Sequence, residues 1–272
     1  MLIVENQQLL TTRSHGDMLV HVFRPTASGK FPVLIVFTEI YQVTGPIQRF
    51  CRALASHGYI CISPETFHDF EKPGVALAYN EEGTAKGNAY KIEKTLESYD
   101  DDVDTVVQHA KTRPDSTGRI GVIGMCLGGH LSLRAALTNP EISSAVCFFA
   151  TDIHSKTLGR EKNDNTLELV AAGKAENAEI LMIFGRQDPH VPKEGRDLIR
   201  QTLNASGANF AWIELNANHA FVRDELSKGR YDAEITKHCM GFVHELFHRT
   251  LHLLLEDVSV RPDPMGPGPK KC

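Results

Sequence analysis

The segment Ile120-Gly121-Val122-Ile123-Gly124-Met125-Cys126-Leu127-Gly128-Gly129 indicates the fold class, because it joins an apolar run to a helix-like segment at 130–137. A side chain at so sharp a strand-to-helix turn is pushed out above the end of the sheet, and the flanking glycines remove Cβ atoms that would collide with neighbouring backbone. The pattern predicts a nucleophile elbow that carries Cys126. A lone cysteine is also a common small buried hydrophobe, and the motif alone leaves that alternative open.

Composition bounds the class of protein. The chain has 272 residues, of which 42% are hydrophobic, so it can bury the core of one α/β domain. Its 29 basic and 34 acidic residues do not form the basic footprint of a nucleic-acid binder. We find neither a signal-like start nor an apolar stretch of membrane-spanning length, and the six cysteines contain no Cys-x-x-Cys pair. We therefore expect a soluble cytoplasmic protein that binds neither nucleic acid nor membrane.

Short apolar runs bounded by turn residues predict strands that are buried on both faces. They lie at 33–37, 59–62, 120–123, 145–150 and 180–184, and a further strand is expected at 210–215. Helical patterns lie at 48–57, 98–112 and 231–255, and an antiparallel hairpin is expected at 9–15 and 18–24. The alternation predicts a mostly parallel central sheet flanked by helices on both faces. We expect a single domain over residues 1–260 and a mobile Pro/Gly-rich tail over 261–272.

A thiol nucleophile needs a base and a group that orients the base. Asp188 follows the apolar run 180–184, and His219 follows the run 210–215. Taken singly, such an aspartate is usually a structural cap and such a histidine is usually solvated. Nucleophile, acid and histidine in this order, each after a strand, coincide far less often by chance. The order predicts a triad of Cys126, Asp188 and His219.

The chain resembles the dienelactone hydrolase (carboxymethylenebutenolidase) family, cysteine members of the α/β-hydrolase fold, from about Pro32 to the closing helix. The resemblance rests on the triad order, on the segments 37–41 (Phe-Thr-Glu-Ile-Tyr) and 87–91 (Gly-Asn-Ala-Tyr-Lys), and on Arg223, four residues after the histidine. It implies an α/β-hydrolase that opens a small, carboxylate-bearing lactone or ester through a cysteine acyl-enzyme. It also implies no metal or organic cofactor, and a monomer or small homo-oligomer.

The same resemblance implies how the thiol is activated. Cys126 would rest as a neutral thiol near a buried Glu39 that pairs with Arg223, and the substrate carboxylate would free Glu39 to take the thiol proton. Such a base is useful because a free thiol has a pKa of roughly 8.5 and an apolar site raises it. The alternative is a Glu39 carboxylate bonded only to backbone. The oxyanion would be held by the amides of Leu127 and Ile40, donors worth about 3 kcal/mol each in other hydrolases.

One departure from the family puts the substrate in doubt. Family members have an arginine four residues before the tyrosine, whereas Lys86 precedes Tyr90 here. If these residues bind substrate, a bidentate grip on a carboxylate becomes a single-point contact. Lys86 could equally be a solvated surface lysine. The long acidic and glycine-containing segment 67–87 should shape the pocket differently.

A rival motif lies near the end of the chain. His244-Glu245-Leu246-Phe247-His248 matches the H-E-x-x-H pattern, in which two histidines one helical turn apart bind zinc. His252 continues the stripe, and Glu256 could supply a third ligand. This segment is expected to be the closing helix that packs on the sheet, so we expect no catalytic metal and keep a zinc metalloenzyme as the alternative. A catalytically weak hydrolase-fold binding protein would need a lost triad member, and none is lost.

Overall fold

The structure, a computed structural model, describes residues 1–13 and 16–253. Its strands are β1 (Ile3–Thr11), β2 (Asp17–Pro25), β3 (Phe31–Phe37), β4 (Ile60–Pro64), β5 (Ser116–Met125), β6 (Ile142–Phe148), β7 (Glu179–Gly185) and β8 (Phe210–Leu215). They form one sheet in the order β1-β2-β4-β3-β5-β6-β7-β8. Only β1 with β2 and β2 with β4 pair antiparallel, so the predicted mostly parallel sheet is confirmed.

Helices cover both faces of the sheet, as predicted. They are α1 (Gly45–Ser56), α2 (Glu81–Glu93), α3 (Leu96–Thr112), α4 (Leu127–Thr138), α5 (Thr166–Ala171), α6 (Lys193–Ser206) and α7 (Ala233–Phe247). Buried side chains of α1 and α7 join one apolar layer, and those of α3, α4, α5 and α6 join the other. No helix within the described ranges is long and apolar enough to cross a bilayer.

Several element boundaries differ from those predicted. The hairpin forms, with Ile3 opposite Pro25 and Thr11 opposite Asp17, and residues 14 and 15 of its connection lie outside the described residues. The closing helix ends as an α-helix at Phe247 and continues as a π-helical turn, His248–His252. The predicted tail 261–272, the end of the predicted closing helix and Glu256 all lie outside the described residues.

Helix α2 was not predicted, because it packs on the protein through glycine instead of an apolar stripe. Its buried residues are Gly83 and Gly87. A Cβ at Gly83 would lie 2.0 Å from the carbonyl oxygen of Ala78, and one at Gly87 would lie 2.4 Å from that of Ile40. Hydrophobic periodicity cannot detect such a helix. Its close approach places the helix against the segment that follows β3.

Candidate active site

Cys126 lies at the turn between β5 and α4, and its backbone is unusual for a residue other than glycine. Its φ is 57° and its ψ is −120°. The turn is this tight because its neighbours lack side chains. A Cβ at Gly124 would lie 2.1 Å from the carbonyl oxygen of Gly128, and one at Gly128 would lie 2.3 Å from that of Phe37. The half-buried cysteine therefore lines a cavity at the carboxyl edge of the sheet.

His219 and Asp188 meet after the last two strands. The Nδ1 atom of His219 is 2.7 Å from Oδ2 of Asp188, and both side chains are buried. The other oxygen of Asp188 accepts the backbone N–H of His190 at 2.8 Å. Burial by itself would raise the pKa of Asp188, but the hydrogen bond and charge of His219 hold it below its ordinary value. The carboxylate is thus fixed in orientation and stays ionised beside the imidazole.

His219 lines the same cavity as Cys126, and the cysteine affects the protonation of its imidazole. Burial alone would lower the pKa of His219, but Cys126 and Asp188 raise it to about 10. Cys126 raises this pKa by charge only as a thiolate, because only an anion attracts the imidazolium. The pair can therefore exist as thiolate with imidazolium or as thiol with imidazole, and one proton transfer separates the two states.

Glu39 and Arg223 form a buried ion pair at the cavity wall. Glu39 follows β3, and its two carboxylate oxygens lie 3.1 and 3.3 Å from Nη1 of Arg223. The guanidinium also lies over the ring of Tyr79, 4.6 Å from its centroid, and over that of Tyr41. Burial lowers the pKa of Arg223, but the charge of Glu39 outweighs this and raises it. The structure brings together the two residues that the resemblance pairs, and both line the same cavity as Cys126.

The two amides expected to bind an oxyanion are free in the described part of the chain. Leu127 is the first residue of α4, and its N–H, like that of Ile40, donates no hydrogen bond to any described residue. A helix N-terminus leaves its first amides without intrahelical partners. Gly87 packs on the backbone of Ile40, which fixes this segment against α2. Both amides are therefore available to a ligand atom.

Lys86 and Tyr90, the other two predicted substrate contacts, are not brought to the cavity. Lys86 is half exposed and pairs with Glu82, one turn earlier on α2, at 3.2 Å. The hydroxyl of Tyr90 donates to Glu71 at 2.8 Å, and its ring stacks on Phe70. The phase of α2 explains this, because positions 86 and 90 share one side of the helix while 84, 88 and 91 share another.

The cavity, of about 190 Å³, is lined by several residues that the sequence did not single out. Helix α2 contributes Thr84, Asn88 and Lys91. The loops that follow β6, β7 and β8 contribute Thr151, Asp152, His154, Ser155, His190, Lys228 and Arg230. The spacing of the three α2 positions could have identified the cavity side of that helix. The loop residues carry no motif that would have marked them.

The H-E-x-x-H segment covers the end of α7 and the first residue of the π-helical turn, away from the cavity. His244 packs its ring against that of His57 at 4.0 Å between centroids, and His248 and His252 are 5.8 Å apart by the same measure. Glu245 binds Arg249 at 2.7 Å. In residues 1–13 and 16–253 no group of three or more His, Cys, Asp or Glu side chains has an arrangement that could hold a metal ion.

Comparisons with known proteins agree on one family. Residues 18–251 match the model of the dienelactone hydrolase family. A Saccharomyces cerevisiae protein named "Putative carboxymethylenebutenolidase" is 47% identical over 259 residues, which cover 93% of this chain and 94% of the relative. An Escherichia coli K12 protein of the same name is 31% identical and covers 78% and 76% of the two chains.

Solved structures show the same fold. The crystal structure of a "Putative Dienelactone Hydrolase" from Klebsiella pneumoniae matches with a TM-score of 0.77 at 24% identity, over 92% of this chain and 100% of the other. A dienelactone hydrolase-like promiscuous phosphotriesterase from metagenomic libraries matches with a TM-score of 0.72 at 18% identity, over 92% and 100%. The expected α/β-hydrolase fold is confirmed.

Proposed function

The chain belongs to the dienelactone hydrolase family, and from this premise we propose that it hydrolyses a small lactone or ester, with a carboxylate, through a thioester on Cys126. The observation that carries the proposal is the 2.7 Å contact between His219 and Asp188, at a cavity that Cys126 and His219 both line. Acyl transfer by a nucleophile needs an imidazole that an acid orients beside that nucleophile.

Acylation begins when the Cys126 sulfur attacks the carbonyl carbon of the substrate. The carbonyl oxygen becomes an oxyanion, which the free amides of Leu127 and Ile40 stabilise. Collapse of this intermediate breaks the C–O bond and leaves a thioester. The departing alkoxide takes the proton that Glu39 accepted from the thiol, and in a lactone this new hydroxyl remains tethered to the acyl group.

Deacylation needs a base for water. His219, a neutral imidazole at this stage, removes a proton from a water molecule that attacks the thioester. The C–S bond then breaks, and the sulfur takes this proton from the imidazolium of His219. Asp188 orients the imidazole and stabilises its charged form throughout. The hydrogen bond from the His190 backbone holds that carboxylate in place.

Glu39 is proposed to start the cycle by accepting the proton of the Cys126 thiol. In the structure the carboxylate is bound to Arg223. A substrate carboxylate that binds Arg223 would compete for the guanidinium and free Glu39 as a base. Support comes from the shared cavity of these residues and from its additional cations, Lys228 and Arg230, which favour an anionic substrate.

We also propose a cytoplasmic location. All five cysteines of the described ranges are free, and a catalytic thiol persists most readily where glutathione and thioredoxin keep thiols reduced.

The test compares wild type with Cys126→Ala on short aryl esters and on unsaturated lactone acids. Wild type should hydrolyse both classes, and lactone acids should give the higher kcat/KM. Cys126→Ala should retain the fold by circular dichroism and lose turnover, because oxyanion donors alone cannot replace a covalent nucleophile. Mass spectrometry of wild type quenched during ester turnover should show an acyl adduct on Cys126. Unchanged activity in the variant would exclude the proposed mechanism.

A further inference from the structure

A series of hydrogen bonds that involves neither His219 nor Glu39 also reaches Cys126. The Cys126 sulfur is 3.9 Å from Oγ1 of Thr151, within reach of a hydrogen bond to sulfur. Thr151 in turn donates from its hydroxyl to Oδ2 of Asp152 at 2.7 Å. The other oxygen of Asp152 accepts from Lys91 Nζ at 2.8 Å and from the Thr157 hydroxyl at 2.6 Å. This series of hydrogen bonds therefore links the thiol to the buried ion pair of Lys91 and Asp152.

The direction of these hydrogen bonds is fixed by the charge of Asp152. Burial raises the pKa of this carboxyl, but Lys91 and the two threonine hydroxyls lower it to about 2. An ionised carboxylate only accepts hydrogen bonds, and a hydroxyl has one proton to donate. The Thr151 proton is therefore committed to Asp152. Only lone pairs of the Thr151 oxygen remain for the sulfur, so this oxygen can accept an S–H proton and cannot donate to a thiolate.

We infer that Thr151 is a positioning residue that favours the protonated form of the Cys126 sulfur, with Asp152 and Lys91 fixing its hydroxyl as an acceptor. The inference rests on the proposed role of Cys126 as the nucleophile. A hydroxyl that is free to rotate can donate to a thiolate and stabilise it. Here the ion pair behind the hydroxyl reverses that effect, so the contact favours the thiol over the thiolate.

Backbone contacts hold Thr151 and Asp152 next to Cys126. The N–H of Thr151 donates to the carbonyl oxygen of Cys126 at 3.3 Å, which ties the loop after β6 to the nucleophile. Asp152 has a φ of 67°, a left-handed conformation that aspartate and asparagine tolerate better than most residues. Asp152→Asn is therefore compatible with the backbone, removes the charge and replaces one acceptor oxygen by an amide donor.

Other ionisable groups face the same cavity and must be common to every variant compared. The acids and imidazoles are Glu39 after β3, Asp152 and His154 after β6, His190 after β7 and His219 after β8. The cations are Lys91 on α2 and Arg223, Lys228 and Arg230 after β8. The midpoint pH of Cys126 alkylation in any one variant therefore depends on all of these groups. The sign of a change between two variants that differ only at position 151 reports the hydroxyl.

The experiment measures the rate of alkylation by iodoacetamide against pH for wild type, Thr151→Val and Thr151→Ser. Cys126→Ala, treated in parallel, gives the contribution of the other thiols for subtraction. Thr151→Val removes the acceptor and should lower the midpoint pH, with about threefold faster alkylation at pH 7, the scale of one weak hydrogen bond to sulfur. Thr151→Ser keeps the hydroxyl and should retain the wild-type midpoint.

The decisive comparison repeats the substitution in an Asp152→Asn background. Without the carboxylate, the Thr151 hydroxyl is free to turn and donate to the thiolate. Thr151→Val should then raise the midpoint pH, the opposite of its effect in the wild type. A general change in packing or polarity would act in the same direction in both backgrounds.

The inference is overturned if Thr151→Val leaves the midpoint unchanged in wild type, or shifts it in the same direction in both backgrounds. Thermal unfolding checks that each variant is folded, and Thr151→Ala replaces Thr151→Val if the latter is not. Alkylation requires no substrate, so the outcome is independent of whether the protein hydrolyses lactones. Loss of the proposed function would appear in the turnover assays, and failure of this inference would appear only in the pH profiles.

Discussion

Arg223 and Glu39 meet in the cavity wall although 184 residues separate them along the chain, with Nη1 3.1 Å from Oε1. Both oxygens of the carboxylate share this one nitrogen. Within the described ranges, Nε and Nη2 of Arg223 donate to no residue, although a guanidinium has five N–H groups. Arg223 can therefore bind an incoming carboxylate while it still holds Glu39, which allows exchange of one partner for the other without an unpaired buried charge.

Replacing Glu39 by glutamine should slow acylation more than deacylation. The amide oxygen of the glutamine can still accept a hydrogen bond from Arg223, so the shape of the site is kept, but the amide cannot take the thiol proton. Loss of a general base typically costs about 10²- to 10⁴-fold in rate. Rapid mixing with a chromogenic ester separates the acylation burst from steady-state turnover.

The matched control is Glu65→Gln, a buried glutamate outside the cavity that binds His21 at 2.9 Å. Its acylation rate should equal that of wild type. The role of Glu39 is refuted if Glu39→Gln acylates at the wild-type rate. It is also refuted if alkylation finds Cys126 already ionised at neutral pH without a ligand, because His219 would then be sufficient.

Asp188→Asn should retain the fold and lose about 10³- to 10⁴-fold in kcat. The side-chain oxygen of asparagine can still accept the N–H of His190, which leaves its amide group facing Nδ1 of His219. An amide donor there stabilises the imidazole tautomer with its proton on the wrong nitrogen, as in the serine protease triad. Steady-state kinetics with an aryl ester give the rate, and a crystal structure of the variant would verify the side-chain orientation. A loss below tenfold would argue against a triad.

The parts of the molecule that could be predicted from the sequence are those set by local pattern. The central strands are short apolar runs, and each was found within a few residues of its true ends. The elbow was found because Gly124 and Gly128 are needed where a Cβ would strike backbone. In these cases the residues that determine the local structure are neighbours in the sequence.

Helices α5 and α6 were also not predicted. The residues that were missed at the candidate site depend on tertiary packing. The family motif predicts Lys86 as a substrate contact. The phase of α2, fixed by Gly87 against Ile40, places Lys91 at the cavity instead. Thr151 and Asp152 lie in a loop without a motif, and their importance comes from a lysine 61 residues away from Asp152. Only the assembled fold makes such a contact visible.

Strong zinc chelators should leave turnover unchanged, and His248→Ala should retain activity within about twofold. His248 lies on the π-helical turn after α7 and lines a second cavity with His57, His244 and His252, apart from the cavity that contains Cys126. The matched comparison is His219→Ala, which removes the proposed base and should abolish turnover. Dialysis against a chelator, followed by an ester assay with and without added zinc, makes the measurement. Activity that is lost on chelation and restored by zinc would favour the metalloenzyme alternative.

The free energy of unfolding should fall as the pH is lowered from 7 to 5. Burial lowers the pKa of five described imidazoles, those of His109, His154, His190, His244 and His252. In the unfolded chain each titrates near 6.5, so below that pH the unfolded state binds more protons and gains stability relative to the folded state. The contribution of these imidazoles is thus fully present above pH 6.5 and is lost as the pH falls through their folded pKa values. Each can contribute at most about 1.4 kcal/mol per pH unit, and less where solvent screens it.

His219 and Asp152 act in other windows and do not mask this effect. With Cys126 as a thiolate, the folded pKa of His219 is raised to about 10, so its stabilising contribution is constant below pH 6.5 and is lost as the pH rises toward 10. That of Asp152 is lowered to about 2, so its contribution declines only as the pH falls below about 4. Urea unfolding at pH 7, 6 and 5 gives the slope, and His109→Gln, far from the cavity, should reduce it. A free energy that is constant or rises toward pH 5, or an unchanged slope in His109→Gln, would show that these imidazoles titrate normally in the folded protein.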